Sequence, residues 1–332
     1  LEQAVDYILG LSFGEEEIAY LRGLNLFDEG FLGYLKNLKF TGDVYSVPEG
    51  TMVFPGEPIL TVKAPVIEAQ LVETAILNII NHQTLIATKS AKVCNAAKGD
   101  NVMEFGLRRA QGPDAGIYGA RAAIIGGGNS TSNVLAGKMF SVPVSGPHAH
   151  SWVMNFPSEL EAFRAYAEIY PDATLLLVDT YDTLKSGIPN AIKVFDELKA
   201  KGKKPLGIRI DSGDLAYLTK RARKMLDEAG YPDAIICASG DLDEKLVQSL
   251  KLQGAKINSW GIGTKLITSE DMPSLGGVYK LAAVEENGEI VPKIKVSDNT
   301  EKITNPGFKT FYRIYDKATG KAEADLIALR GE

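Results

Sequence analysis

The chain has 332 residues, of which 45% are hydrophobic and 23% are charged, and its formal net charge is −6. This composition is ordinary for a globular protein and allows one large domain or two of medium size. The acidic balance argues against a nucleic-acid partner, because the densest basic run is the short segment 201–204. No apolar run is long enough to span a membrane and no signal-peptide pattern is present, so we expect no membrane partner.

The two cysteines, Cys94 and Cys237, lie far apart in a sequence without a CxxC motif. They argue against a disulfide scaffold or a zinc site and predict a reducing, cytoplasmic location. The chain begins at Leu1, without Met and already inside an amphipathic pattern. We therefore expect that its natural N-terminus lies upstream.

Residues 1–101 predict a domain of helices with a small antiparallel sheet. Apolar residues recur at helical spacing over residues 1–40, which predicts three short helices. Residues 41–66 switch to alternation with turn residues such as Pro55-Gly56, which predicts short strands. Residues 66–97 read as one long helical run with apolar residues on more than one face, so we expect a buried helix.

Residues 102–277 alternate between strand-like and helix-like segments, which predicts right-handed βαβ units and a parallel sheet. We count about seven strands, near residues 102, 124–133, 142, 174, 206, 234 and 257. This number is close to that of a (β/α) barrel, in which the chemistry lies on the loops that follow the strands. Residues 278–332 return to alternating strands and hairpin turns, and they predict an antiparallel extension that returns to the N-terminal domain.

Polar or glycine-rich segments follow six of these strands. They read EFGLRR from residue 104, SGPHAHS from 145, DTYD from 179, RIDSGD from 209, SGD from 239 and GIGT from 261. Any one of them has an ordinary structural explanation, and DSGD before a helix is a good helix N-cap. Turn formation alone does not explain the whole set, because catalytic residues of barrel enzymes gather at this end of the strands.

The residue types in this set suggest the ligands. Backbone N–H groups and a hydroxyl in Gly-Ile-Gly-Thr suit a terminal phosphate, and aspartates suit a sugar diol or Mg²⁺. Arg108 and Arg209 can pair with carboxylate or phosphate oxygens, while Phe105 offers a flat face to an aromatic ring. The set favours a phosphorylated sugar together with a small aromatic acid.

Seven motifs in this order resemble those of the nicotinate phosphoribosyltransferase family: EFGLRRAQ, GNSTSNVLAG, SGPHAHS, LVDTYDT, IRIDSGD, ASGDLDE and WGIGTKL. The resemblance implies an α/β fold, an incomplete (β/α) barrel of about seven parallel strands with an N-terminal α/β sandwich-type domain. It implies a homodimer with sites at the subunit interface. The implied reaction joins nicotinate to phosphoribosyl pyrophosphate, giving nicotinate mononucleotide and pyrophosphate, with Mg²⁺ and with ATP hydrolysis coupled through a phosphohistidine.

The resemblance also assigns the residues that choose the pyridine acid. Phe105 would stack on the pyridine ring and Arg108 would pair with its carboxylate. Ser132 lies near the position at which nicotinamide-using relatives have an Asp. A serine there does not repel a carboxylate, so the resemblance favours nicotinate over nicotinamide.

The catalytic residues implied by the resemblance are His150, Asp179 and Asp211. His150 matches the phosphorylated histidine, and Asp179 would hydrogen-bond and orient it. Asp211 would bind the ribose hydroxyls, and Arg209 would lie near the pyridine or the pyrophosphate. His148 matches a less constrained position and would be a neighbour.

Four further residues would hold the ribose and the 5′-phosphate: Gly240, Asp241, Gly263 and Thr264. The sequence also departs from the family, which usually has Gly-Thr where this chain has Gly146-Pro147, and proline lacks the hydroxyl and the backbone N–H. The family has an additional N-terminal segment, with a tyrosine that reaches the partner's site, and a longer C-terminal region.

Two alternatives stay open at the level of sequence. The first is a nicotinamide or quinolinate phosphoribosyltransferase, although two carboxylates call for more basic residues than Arg108 and Arg109. The second is a non-catalytic truncated paralogue, which the proline at position 147 and the missing terminal segments would suggest.

Overall fold

The structure is a computed structural model that describes residues 1–298 and 303–331. Contacts divide the chain into two compact units, one made of Leu1–Asn81 with Gly276–Glu332 and the other of His82–Leu275. The division falls inside a helix, whereas the sequence placed a boundary after residue 101. The C-terminal extension groups with the N-terminal residues, so the first unit is discontinuous in sequence.

The first unit begins with the three short helices that the sequence predicts. They are α1 (Glu2–Gly10), α2 (Glu15–Gly23) and α3 (Glu29–Lys36), followed by an antiparallel pair, β1 (Asp43–Ser46) and β2 (Leu60–Lys63). Asp28 fixes the start of α3, because its carboxylate accepts the Phe31 N–H at 2.8 Å. The long helix expected over 66–97 is divided at Val72 into α4 (Val66–Leu71) and α5 (Glu73–Ala97).

The second unit contains one parallel sheet. Within residues 82–275, all of which the structure describes, its strands are β3 (Asn101–Glu104), β4 (Ser130–Thr131), β5 (Leu175–Leu177), β6 (Gly207–Ile210), β7 (Ile235–Ala238) and β8 (Ser259–Ile262). Their order is β4-β3-β8-β7-β6-β5. The strand expected near 124–133 is the short β4, since residues 123–125 end a helix. The strand expected near 142 is not formed, and that run contributes an isolated parallel bridge from Val144 to Thr131.

Helices connect these strands, as right-handed βαβ units require. They are α6 (Pro113–Ile125), α7 (Val134–Phe140), α8 (His150–Met154), α9 (Glu159–Ile169), α10 (Ile188–Ala200), α11 (Leu215–Glu228), α12 (Glu244–Leu252) and α13 (Thr264–Ile267). The main core lies between helices and sheet and includes Phe163, Phe195 and Trp260, each fully buried. Helices α9, α10, α11 and α12 follow the amphipathic patterns in the sequence, since each buries one apolar face in this core.

The sheet curls into an incomplete barrel. Met103 of β3, Leu175 of β5 and Cys237 of β7 pack in one buried cluster, although β3 and β5 stand four places apart in the strand order. Side chains from alternate strands meet in this way inside a barrel, where they form a layer of the interior. Burial raises the pKa of the Cys237 thiol to about 11, so this cysteine packs as a small apolar residue.

The C-terminal part of the first unit consists of two hairpins. They pair β9 (Ala283–Glu286) with β10 (Glu289–Pro292) and β11 (Lys309–Tyr315) with β12 (Ala322–Leu329). Asn287 and Gly288 form the first turn with φ of 53° and 84°, the positive values that a tight two-residue hairpin needs. Among the described residues, no helix is both long enough and apolar enough to cross a membrane.

Candidate active site

The predicted site residues lie at one edge of the curled sheet. Because the strands are parallel, their carboxyl ends meet there, and each strand is followed by a candidate residue. The residues that follow β4, β3, β8, β7, β6 and β5, in sheet order, are Ser132, Phe105, Gly263, Gly240, Asp211 and Asp179. The segment DSGD provides both a helix cap and a site residue. Asp214 caps α11 by accepting the Tyr217 N–H at 2.9 Å, while Asp211 turns toward the site.

A hydrogen-bonded ring joins β6 and β7. The Arg209 guanidinium donates from Nε to the Ser239 hydroxyl at 2.7 Å and from Nη2 to Asp211 Oδ1 at 2.8 Å. The Ser239 hydroxyl also donates to Asp211 Oδ1. Burial of Asp211 acts to raise its pKa, but the Ser239 hydroxyl and the Arg209 guanidinium outweigh burial, so the pKa lies below the ordinary aspartate value. Asp211 is thus held as a carboxylate.

Phe105 lies directly beside this ring. The Arg209 guanidinium carbon is 5.5 Å from the Phe105 ring centroid. The ring occupies space above Gly261, where a Cβ atom would lie 2.5 Å from the phenyl group. The strand expected near residue 257 covers 259–262, and its Gly261 leaves room for the aromatic ring.

His150 connects the end of β5 with the end of β6. Its Nδ1 lies 3.1 Å from the Thr180 hydroxyl, and its Nε2 lies 3.7 Å from Asp211 Oδ2 and 4.0 Å from Asp179 Oδ1. The expected hydrogen bond from Asp179 is thus longer than a hydrogen bond in this structure, and Thr180 provides the short contact. The imidazole is 39% exposed, so it is open to a ligand.

Asp179 is oriented by the next strand. Its Oδ2 accepts the Asp211 N–H at 2.8 Å and the Ser212 hydroxyl at 2.7 Å. Its Oδ1 is buried, faces His150 and has no hydrogen-bond partner among the described residues. A buried carboxylate oxygen without a donor is unusual, and it marks a place where a protonated imidazole or a ligand cation would be stabilised.

The loop after β7 has a conformation that requires glycine. Gly240 has φ of +97°, and a Cβ atom there would lie 2.2 Å from the Asp211 carbonyl oxygen. Asp241 follows with φ of +44° and is exposed. Lys265 on α13 and Asp243 before α12 form an ion pair at 3.0 Å, which ties this loop to the loop after β8.

Gly263 lies between β8 and α13, and Thr264 is the first residue of that short helix. A Cβ atom at Gly263 would lie 3.4 Å from the Phe105 carbonyl oxygen, so the loop passes close to the loop after β3. Both residues are half-buried at the same edge of the sheet as Gly240 and Asp241.

Arg108 and Ser132 lie at the rim, where both are exposed. Arg108 belongs to a 3-10 turn, Leu107–Arg109, and has no ion pair or hydrogen bond of its side chain within the described part of the chain. The backbone N–H of Ser132 donates to the Glu104 carbonyl at 2.9 Å, which fixes the end of β4 beside the end of β3. The two side chains are therefore available to a ligand, and among the described residues no hydrogen bond or ion pair links them to Arg209, Ser239 or Asp211.

The buried Glu104 side chain hydrogen-bonds to the segment that carries Arg108 and to the segment that carries Ser132. It is 1% exposed, and its carboxylate accepts the Gly106 N–H and the Thr131 hydroxyl, the latter at 2.6 Å. Burial raises the pKa of Glu104 against the opposing effect of these bonds. Glu104, Ser239 and Thr180 were not among the predicted site residues. Ser239 and Glu104 directly precede Gly240 and Phe105, and this adjacency was the available signal.

No group of three or more His, Cys, Asp or Glu side chains suited to a metal ion occurs in residues 1–298 and 303–331. A dedicated all-protein metal cage is therefore not formed by the described residues. Asp179 and Asp211 nevertheless fit Mg²⁺, which usually keeps several waters and binds one or two carboxylates together with substrate phosphates. The unpartnered Oδ1 of Asp179 is the observation that supports this fit.

Comparison with known proteins decides the family. The model of the nicotinate phosphoribosyltransferase N-terminal domain matches residues 1–81, and the model of the nicotinate phosphoribosyltransferase family matches residues 101–318. The chain belongs to the nicotinate phosphoribosyltransferase family. The nicotinate phosphoribosyltransferase of Bacillus subtilis is 53% identical over 332 residues, which cover 100% of this chain and 67% of that protein.

A solved structure of human nicotinic acid phosphoribosyltransferase has a TM-score of 0.85 and 30% identity, and the match covers 100% of this chain and 73% of the human chain. Nicotinate-nucleotide pyrophosphorylase from Pyrococcus furiosus has a TM-score of 0.71 at 24% identity, over 88% of this chain and 70% of that chain, and shares the fold. A Mycobacterium tuberculosis nicotinate phosphoribosyltransferase is 42% identical, and the match covers 66% of it. The chain thus spans about two thirds of the length of these family members.

Proposed function

We propose that this protein transfers phosphoribosyl from phosphoribosyl pyrophosphate to nicotinate, forming nicotinate mononucleotide and pyrophosphate in NAD biosynthesis. The observation that carries the proposal is the chain of contacts from Phe105 through Arg209 and Asp211 to His150. It places an aromatic face, a cation, a carboxylate and an imidazole side by side. Family membership supplies the reaction class, and this geometry supports nicotinate as its acceptor.

The pyridine acid would bind between Phe105 and the rim. Its ring would stack on Phe105, since flat rings favour offset stacking. Its carboxylate would accept from Arg108, which is exposed and has no ion-pair partner among the described residues. Ser132 would not repel the nicotinate carboxylate, because a hydroxyl carries no negative charge. The same position occupied by an aspartate would repel nicotinate.

Phosphoribosyl pyrophosphate would lie across the ends of β6, β7 and β8. Asp211 would accept hydrogen bonds from the ribose hydroxyls through Oδ2, since its Oδ1 is already saturated by Arg209 and Ser239. Backbone groups near Gly240, Asp241, Gly263 and Thr264 would hold the ribose and the 5′-phosphate. Glycine at 240 lets this loop pass close to the Asp211 backbone, since a Cβ atom there would meet the Asp211 carbonyl oxygen.

The transfer needs positioning more than proton transfer. The pyridine nitrogen attacks the anomeric carbon with its own lone pair, and the bond from that carbon to pyrophosphate breaks, so no general base is required. Positive charge develops at the anomeric carbon and negative charge on the leaving pyrophosphate. Arg209 lies next to Asp211 and would stabilise the leaving group. Mg²⁺, held through Asp179 or Asp211, would supply additional charge neutralisation when it is bound.

ATP would enter the cycle through His150. A ring nitrogen would form a bond to the γ-phosphorus of ATP as the bond to ADP breaks, which gives a phosphohistidine. Asp179 and Asp211 both lie within 4.0 Å of Nε2 and would stabilise the positive charge on the ring during this step. Pro147 stands where the family usually has Thr, so the loop before His150 lacks one hydroxyl and one N–H.

The protein would act as a cytoplasmic homodimer with sites near the subunit interface. Helix α7 supports a partner surface, because Val134, Leu135 and Met139 are 69%, 51% and 50% exposed. Three large exposed apolar side chains on one short helix next to Ser132 suit burial against a second subunit. Sedimentation of the purified protein would test the dimer.

One competition assay tests the proposal. The protein would be given phosphoribosyl pyrophosphate, ATP and equal amounts of nicotinate, nicotinamide and quinolinate, and the nucleotide products would be separated. We expect nicotinate mononucleotide as the dominant product without release of CO₂, because transfer to quinolinate with loss of CO₂ would give the same nucleotide. Nicotinamide mononucleotide as the dominant product, or decarboxylation of quinolinate, would favour the first alternative. Complete absence of product would favour a non-catalytic paralogue.

A further inference from the structure

His148 and His150, separated by one residue, lie against neighbouring positions at the end of the same strand. His150 contacts Thr180 and faces Asp179, the residues just beyond β5. His148 lies against β5 itself, where the Leu177 N–H donates to its Nε2 at 3.2 Å. The spacing of the two histidines therefore follows the spacing of residues 177 and 179–180 along the chain. Only His150 reaches the carboxylates, so the pair divides into two roles.

The Leu177 N–H points toward the free edge of the sheet. Val178 donates its N–H to the Arg209 carbonyl on β6 at 3.0 Å, and successive N–H groups of a strand point to opposite sides. The Leu177 N–H therefore points away from β6, and β5 is the last strand of the sheet. Leu177 is buried, so its N–H needs an acceptor that a seventh strand would otherwise supply. The His148 imidazole supplies it.

The two edges of the sheet come close together at this point. Val144 bridges to Thr131 on β4, the opposite edge, and His148 follows it by four residues. Four residues span at most about 14 Å, so one short loop crosses the gap in the incomplete barrel. The His148 ring anchors the far end of that loop, and it also packs against Tyr166 and Phe163 with centroids 4.7 Å and 6.1 Å away.

The hydrogen bonds of His148 define the protonation state of its imidazole ring. A histidine that accepts at Nε2 is neutral and carries its proton on Nδ1. Nδ1 lies 3.4 Å from the carbonyl of Ala149, the N-cap residue of α8, and His150 is the first residue of that helix. Burial lowers the pKa of His148 to about 4, and the nearby charges of Arg209 and His150 act in the same direction. Near neutral pH the acceptor is therefore permanently available.

We infer that His148 is a positioning residue for His150: its imidazole takes the place of a missing strand at the edge of β5 and fixes the loop from which His150 reaches Thr180 and the two aspartates. The inference rests on the proposed role of His150 as the phosphoryl acceptor. The polar contacts of the His148 ring are with the backbone of Leu177 and Ala149. It acts by holding the start of α8 in register with the end of β5.

Two substitutions distinguish the hydrogen-bond acceptor of His148 from the packing of its ring. His148→Phe keeps a ring against Tyr166 and removes the acceptor, while His148→Gln places an amide oxygen where Nε2 lies. We expect His148→Phe to lower the rate of His150 phosphorylation by about 10- to 100-fold, as loss of alignment does. The KM for nicotinate should change little, and His148→Gln should recover most of the rate.

Two readouts that need no activity accompany the assay. Hydrogen exchange of the Leu177 amide should accelerate in His148→Phe and return toward wild type in His148→Gln, and the ring ¹⁵N signals of His150 should follow the same pattern. Wild-type exchange and wild-type His150 signals in His148→Phe would overturn the inference. If the wild-type protein forms no phosphohistidine, the proposed function fails in that respect, and the inferred anchor is then decided by the exchange and the ring signals alone.

Discussion

The guanidinium carbon of Arg209 lies 5.5 Å from the centroid of the Phe105 ring, although Phe105 follows β3 and Arg209 lies on β6, three places away in the sheet. The same guanidinium binds the Asp211 carboxylate at 2.8 Å. A residue that contacts both an aromatic face and a carboxylate couples the part of the site that would hold the pyridine to the part that would hold the ribose. The alignment of the two substrates would therefore depend on Arg209.

Replacing Phe105 tests the aromatic face. Phe105→Leu keeps an apolar side chain above Gly261 but removes the ring, so stacking on the pyridine and the contact with Arg209 are both lost. We expect the KM for nicotinate to rise by about tenfold, as for the loss of one aromatic pair, with a smaller change for phosphoribosyl pyrophosphate. Steady-state kinetics with each substrate varied would measure the difference. An equal rise in both KM values would contradict a role specific to the pyridine.

The two aspartates of the DSGD segment provide a matched pair. Asp211→Asn removes a charge that Arg209 and Ser239 hold, and we expect kcat/KM for phosphoribosyl pyrophosphate to fall by about 10- to 100-fold. Asp214→Asn keeps a good helix N-cap on α11, so activity and stability should stay near wild type. If both variants lose similar activity, the segment acts as a structural turn and the assignment of Asp211 is wrong.

Substitution of Ser132 tests the preference for nicotinate over nicotinamide. Ser132→Asp introduces a negative charge where the nicotinate carboxylate would lie, so we expect about a tenfold loss of kcat/KM for nicotinate with little loss for nicotinamide. Ser132→Asn adds similar bulk without charge and serves as control. A loss of the same size in both variants would indicate steric blocking rather than charge repulsion.

Gly240 and Gly230 separate backbone strain from steric contact. Both have positive φ, +97° and +85°, but a Cβ atom at Gly240 would meet the Asp211 carbonyl oxygen at 2.2 Å while the space at Gly230 is open. Gly230→Ala should lower the free energy of unfolding by about 1 kcal/mol through backbone strain. Gly240→Ala should cost more and should also reduce activity, because Asp211 must move. Denaturant titration and assays of both variants would show whether this order holds.

The pH dependence of stability follows from His148. Its pKa in the fold is lowered to about 4 from an ordinary value of 6.5 because the ring is buried. The unfolded chain therefore takes up the proton first as the pH falls, and the fold progressively loses stability between pH 6.5 and 4. The loss should reach on the order of 3 kcal/mol for this group. His148→Gln should flatten this part of the curve.

Other titrating groups are present in both wild type and His148→Gln, so the comparison of the two proteins controls for them. Burial also lowers the pKa of His82, which stays in the His148→Gln variant and contributes equally to both curves. Asp211 has a lowered pKa, so its contribution disappears below about pH 4, outside the window of His148. Urea titrations at several pH values, compared between the two proteins, would isolate His148. Identical curves would mean that the imidazole titrates as an exposed histidine.

Much of the fold could be read from the sequence because the patterns are local. Strand–helix alternation predicted the βαβ units, and the tail predicted two hairpins that the structure contains. The predictions that differ concern short segments: the strand expected near 124–133 is limited to the two residues of β4, because residues 123–125 end α6, and Val144 forms a bridge rather than a strand. Both segments are apolar runs of three residues, and a run of that length has no period that distinguishes a helix end from a strand.

The sequence by itself determined the chemical inventory: which residue types follow the strands, in which order, and to which family that order belongs. The tertiary structure decided which of these residues lie together and which have a structural role. It directed Asp211 to the site and Asp214 to a helix cap, joined Arg209 to Phe105 across two strands, and set His148 against the edge of β5. These relations depend on the curl of the sheet and the register of its strands, which are non-local properties that no short motif contains.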